Sequence, residues 1–162
     1  MKMYLLFFFL LAFYGCDALP FNDESQGDVQ LVIRSGESFG FCAGYCRHEL
    51  ELDGTAIRFK ALPGLGGPQP AERFYEGELD QELWNELLKA LNETTVRQLD
   101  DVIGCPDCAD GGAEWIEIED ESGTKRVTFE YGKGPDEIKA LVDQLRTVRE
   151  EMKKQVGTSR QG

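Results

Sequence analysis

The sequence predicts an α+β domain: an antiparallel sheet of two hairpins plus an N-terminal strand, with two helices packed on one face in a ββαββα-like order. Two observations carry this. Two segments alternate apolar and polar residues on either side of a glycine-containing turn, and two others repeat apolar residues at helical spacing.

The first strand is expected in "VQLVIR", Val29 to Arg34. The first hairpin is "CRHELELDGTAIRFKAL". Its Asp53-Gly54 pair is a two-residue turn signal, because glycine accepts positive φ without steric cost. With that turn, Leu52 faces Thr55, Leu50 faces Ile57 and His48 faces Phe59. Leu50, Leu52, Ile57 and Phe59 then share one face, and Glu49, Glu51, Arg58 and Lys60 share the other. In "EWIEIEDESGTKRVTFEY" a Ser122-Gly123 turn would set Ile118 against Val127 and Ile116 against Phe129. Glu119 would meet Arg126, Glu117 would meet Thr128, and Trp115 would stand exposed on the polar face.

A helix is expected from Asp80 to Leu91, where Leu83, Leu87 and Leu91 form one stripe beside Trp84 and Leu88. A second opens at Gly134-Pro135, with Asp136 and Glu137 complementing the positive helix end. Its stripe is Ile138, Leu141, Val142, Leu145, Val148 and Met152. The tail beyond, "KKQVGTSRQG", is expected to fray, and "PGLGGPQP", Pro63 to Pro70, is read as a surface loop.

The chain opens "MKMYLLFFFLLAFYGCDALP". Lys2 precedes an apolar run of 11 residues, Tyr4 to Tyr14, which fits a signal peptide and is short of the ~20 residues that span a bilayer. Cleavage before Cys16 would leave a cysteine for acylation, as at a bacterial lipobox, although Phe13 and Tyr14 stand where Leu and a small residue are usual. The alternative is cleavage after Ala18, which gives a secreted protein. The expected organisation is a signal peptide over 1–15, an acidic tether over 16–28, one domain over 29–155 and a frayed tail over 156–162. Lipidation at Cys16, by palmitate, would anchor the domain to a membrane of the cell envelope, at the periplasm or the cell surface.

The formal net charge is −13, and removing residues 1–15 with Lys2 makes it −14. So acidic a chain argues against nucleic acid or an anionic lipid surface as partner. About 145 residues remain after either cleavage, enough for one compact core.

Four cysteines follow Cys16: Cys42 and Cys46 in "SFGFCAGYCRHELELDG", Cys105 and Cys108 in "GCPDCADGG". An even number in an oxidising compartment reads first as disulfides. Residues four apart on a strand lie ~13 Å apart, whereas a disulfide needs Cα atoms within ~7 Å. Cys42 and Cys46 can therefore bridge only if "AGY" turns back, which Gly44 permits. Pro106-Asp107 could close a small ring between Cys105 and Cys108. Four cysteines allow three pairings, and cross-bridges such as Cys46 to Cys105 stay open.

Other chemistry is sparse. A metal reading would combine the four cysteines with His48 at zinc-like spacing, but the compartment competes for the thiols and His48 shares parity with Leu50 and Leu52. A redox reading rests on "CPDC". Asp101, Asp107 and Asp110 surround it and would raise the thiol pKa, and a strand rather than a helix follows. Asp107, Asp110 and Glu114 in "DCADGGAE" offer a loose set of oxygens for calcium. One histidine and no G-x-S-x-G or H-E-x-x-H leave no hydrolase constellation.

"GFCAGYCRHELELDG" and "IGCPDCADGGAEWIEIE" together resemble blocks of uncharacterised small lipoproteins and secreted proteins of Bacteroidetes-type bacteria. The resemblance would cover about residues 29–150. It implies an envelope protein with a ββαββα-like core and implies no activity. The expectation is a non-enzymatic cell-envelope lipoprotein: a binding or structural module for an unknown envelope protein or ligand, with no cofactor and no metal, and Trp115 as a candidate contact. The alternatives are a thiol-disulfide oxidoreductase using "CPDC" and an inhibitor of a secreted enzyme.

Overall fold

The computed structural model describes residues 31–158 apart from 65, 67 and 68. The domain is α+β, but its sheet is larger than two hairpins and a strand. Seven strands lie in the order β4-β3-β2-β1-β6-β7-β5. They are β1 (Val32–Ser38), β2 (Tyr45–Asp53), β3 (Ala56–Pro63), β4 (Arg73–Glu78), β5 (Val102–Ile103), β6 (Ala113–Asp120) and β7 (Gly123–Glu130). All neighbours are antiparallel except β5 with β7, so the sheet is mixed. Among the described residues, three helices rather than two accompany it: α1 (Gln81–Ala90), α2 (Glu93–Gln98) and α3 (Lys139–Thr158).

The first strand is the centre of the sheet. It begins three residues later than the "VQLVIR" reading, at Val32, and ends four residues later, at Ser38, and it joins the two hairpins by pairing with β2 on one side and β6 on the other. Local sequence carries no information on that order.

Both hairpins exist, and both registers differ from expectation by one turn position. In the first, Gly54 takes the first central position of the turn with φ +58°, so Asp53 pairs with Ala56, Leu52 with Ile57 and Leu50 with Phe59. His48 pairs with Ala61 rather than Phe59. In the second, Glu121 and Ser122 form the turn. Ile116 pairs with Val127, Ile118 with Lys125, Glu117 with Arg126 and Glu119 with Thr124. Each shift moves a pairing partner by two residues. Side chains alternate with period two, so every apolar residue keeps its face.

The helices cover one face. Asp80 caps α1, its side chain accepting from the Glu82 amide at 2.8 Å. Asn92 caps α2 in the same way through the Thr95 amide at 3.0 Å. α2 has six residues and buries only Val96, too little for a periodic stripe to show. Arg97 at its end donates to Asp120 and to the Gly123 carbonyl, which pins the β6-β7 turn. A short 3₁₀ turn, Asp136–Ile138, leads into α3. Leu141, Val142, Leu145, Val148 and Met152 of α3 are buried against Ile33, Leu50, Leu52, Phe59, Ile116 and Phe129 of the sheet. Each such side chain contributes about 1.5–3 kcal/mol by leaving water. The tail does not fray at Met152: α3 continues to Thr158, and Val156 is buried in the same core.

Candidate functional site

Among the described residues, no helix covers the opposite face of the sheet. Cross-strand register arranges it in two parallel rows. One runs Phe74, Lys60, Glu49, Gly36, Trp115, Thr128, Val102 across all seven strands. The adjacent row runs Glu76, Arg58, Glu51, Arg34, Glu117, Arg126, alternating in charge at every step.

Within the charged row the ion pairs are continuous from β3 to β7. Glu51 accepts from Arg58 Nε and Arg34 Nε, each at 2.6 Å. Arg34 Nη1 also donates to Glu117 at 3.0 Å and Glu119 at 2.6 Å, and Glu117 accepts from Arg126 Nε at 2.7 Å. The hydrogen bond to Glu51, aided by those to Glu119 and Glu117, outweighs partial burial and holds the Arg34 guanidinium above its ordinary pKa. Burial alone would raise the Glu51 carboxyl, but its two arginines hold it below the usual range.

Trp115 does not stand exposed as expected; it is 8% exposed. Two neighbours cover it. Gly36 on β1 leaves room for the indole to lie flat across the strand, and a Cβ there would overlap the ring. Above the ring sits the Arg126 guanidinium, 3.9 Å from its centroid, in a cation–π contact. Beside this stack, Arg34, Glu49, Glu51, Arg58, Lys60, Glu117 and Arg126 line a groove of about 340 Å³. Exposed Phe74 and Val102 end the Trp115 row at the two edges of the sheet.

The helix-covered face holds a second cluster that sequence reasoning missed. Arg149 of α3 is fully buried and donates to Ser35 Oγ at 2.5 Å, Glu37 at 3.2 Å and Glu114 at 2.5 Å. Arg146 donates to Glu114 at 2.8 Å, and Lys153 pairs with Glu37. His48 Nδ1 lies 2.9 Å from Glu37 Oε1, and the ring stacks on Phe59. Burial would raise the Glu37 carboxyl; hydrogen bonds from His48 and Lys153 and the charge of Arg149 reverse this and hold it at about 2. The Ser35 hydroxyl is turned to Arg149, so Ser35, Glu37 and His48 are members of an ion-pair network, not a nucleophile with its base. The signals for this cluster existed. Glu114 shares strand parity with Ile116 and Ile118, and Arg149 falls in the α3 stripe between Leu145 and Met152.

Both cysteine pairs are closed locally: Cys42–Cys46 with Cα atoms 5.9 Å apart and Cys105–Cys108 at 5.5 Å. Gly44, at φ +88°, makes the first ring possible. The two loops meet at one end of the sheet, where the Gly40 amide donates to Asp107 at 3.3 Å. The metal and calcium sets do not assemble. His48 is engaged by Glu37, the cysteines by one another, and Glu114 points into the core, away from the exposed Asp107 and Asp110. Among the described residues, no group of three His, Cys, Asp or Glu could hold a metal ion. Cys16, the signal peptide and the acidic tether lie outside the described residues. Among those described, no helix is long and apolar enough to cross a membrane.

No protein-family model matches the chain, and no curated protein matches it.

Proposed function

We propose that this is a non-enzymatic cell-envelope lipoprotein, anchored through Cys16, that binds a polar partner on the uncovered face of its sheet. One observation carries the reading. A seven-stranded sheet buries one face under its own helices and presents on the other a groove beside Trp115, lined by alternating cations and carboxylates. Such a surface offers hydrogen-bond donors and acceptors at fixed strand spacing. Lys60 supplies a cation with no polar partner among the described residues. The paired arginines and glutamates are already oriented, so a ligand that matches them costs little side-chain ordering. The two disulfides accord with an oxidising compartment. The anchor rests on the "FYGC" run after the apolar segment.

The test is site-specific photocrosslinking in intact cells. A photoreactive residue at Lys60 or Glu76, on the uncovered face, should yield a discrete adduct. The same residue at Glu86, exposed on α1, should not. Equal labelling from both faces, or none from either, would remove the reading.

A further inference from the structure

The two disulfides sit in different surroundings. Cys46 is 1% exposed, and its sulfur is packed under Gly64, where a Cβ would strike it. Cys105 and Cys108 are both exposed, in a loop that projects between β5 and β6. Cys42, the partner of Cys46, is half-buried, and exchange needs a thiolate to reach a sulfur atom, so access favours the second pair, both of whose cysteines are exposed.

The backbone of that loop is also unusual. Among the described residues, three that are not glycine have positive φ: Asp107 at +62°, Ala109 at +55° and Asp110 at +57°. All three lie within or directly after the ring that Cys105 and Cys108 close. Aspartate tolerates the left-handed region, whereas alanine gains nothing from it. The ring, together with hydrogen bonds from the Asp107 amide to the Gly112 carbonyl and from the Cys105 amide to Glu130, keeps the loop in this shape. Opening the ring frees Asp107, Ala109 and Asp110 to return to ordinary conformations, which favours the reduced loop. It also loosens the Asp107 contact to Gly40, the link to the neighbouring loop that presents Phe41 to solvent.

We propose that Cys105–Cys108 is a thiol–disulfide exchange site, opened by a dithiol or thiol that carries no negative charge besides the attacking thiolate, while Cys42–Cys46 stays closed. The charge selection follows from Asp107 within the ring and Asp110 two residues beyond it, both exposed, whose negative charge repels an anionic thiol. The step balances with a dithiol. Its thiolate attacks one sulfur, forming a mixed disulfide and expelling the other cysteine as a thiolate, which takes up a proton. The second thiol then displaces the first cysteine, leaving the reductant oxidised to a cyclic disulfide and the protein with two cysteine thiols. Two electrons pass from the dithiol to the protein. This proposal is independent of the partner-binding reading.

The experiment treats the mature protein with graded dithiothreitol under native conditions, quenches with N-ethylmaleimide and maps labelled cysteines by peptide mass spectrometry. Cys105 and Cys108 should label together at least about tenfold faster than Cys42 and Cys46, with far-UV circular dichroism unchanged. Hydrogen exchange at the Gly40 amide should rise in the selectively reduced protein. Opening of both pairs at one rate, or of Cys42–Cys46 first, overturns the site. With monothiols, cationic cysteamine should outpace anionic mercaptoethanesulfonate after correction for thiol pKa, and Asp110→Asn should narrow that ratio. A ratio near unity in the wild type, or one that Asp110→Asn leaves unchanged, overturns the charge selection.

Discussion

Arg149 Nη2 donates to Glu114 Oε1 across 2.5 Å, and the two side chains are 0% and 1% exposed. This pair joins α3 to β6 inside the core, and through Glu37 and Ser35 the same guanidinium holds β1. Its removal leaves two buried carboxylates short of a partner. Arg149→Met is therefore expected to cost about 3–5 kcal/mol of stability. The triple variant Arg149→Met, Glu37→Gln, Glu114→Gln should recover a large part of that loss, because no uncompensated charge remains. Urea unfolding of the wild type and the two variants checks both halves of the prediction.

Glu37 gives the network a pH dependence. Its carboxyl is held at about 2, against 4.5 for an ordinary glutamate, so the folded state binds this proton more weakly than the unfolded state. The stabilisation is present in full above about pH 4.5 and is lost as pH falls toward about 2. A shift of that size corresponds to about 3 kcal/mol. Glu37→Gln should flatten the decline in unfolding free energy between those limits. A Glu37→Gln protein that loses stability on acidification as steeply as the wild type would assign the decline to other carboxylates.

The indole of Trp115 occupies space that only a glycine at position 36 leaves open. Gly36→Ala is expected to displace the ring toward solvent and disrupt its stacking with Arg126, at a cost of about 1–3 kcal/mol. In a Trp84→Phe background, where Trp115 is the one remaining tryptophan, its emission should shift to longer wavelength and its quenching by iodide should increase. An unchanged spectrum would mean that the sheet accommodates the methyl group without moving the ring.

Much of this fold was legible, and its limits have physical causes. Period-two alternation assigned every apolar residue of both hairpins to its face, since a register error of two residues leaves parity intact. The turn positions differ by one because Gly54 can serve at either central position of a two-residue turn and Gly123 either inside a turn or directly beside it. β4 escaped notice because its inward positions are Tyr75 and Gly77, a weak apolar signal, and β5 has only two residues. Parity puts Trp115 on the correct face, but nothing local shows that it is covered, because Gly36 lies some eighty residues away on a strand that only the fold brings beside it. Arg149 is not legible as a core residue because a charged residue in a helix stripe reads as surface without its partners on two strands.

The central claim is a disulfide-closed module held at the cell envelope by a lipidated Cys16. Intact mass of the mature protein, extracted from its native membrane with and without reduction and alkylation, tests it most directly. The expected N-terminus is Cys16 carrying acyl chains. Cys42, Cys46, Cys105 and Cys108 should gain an alkyl group only after reduction. A mature chain that begins at Leu19 without lipid, or one whose four cysteines alkylate before reduction, would contradict it.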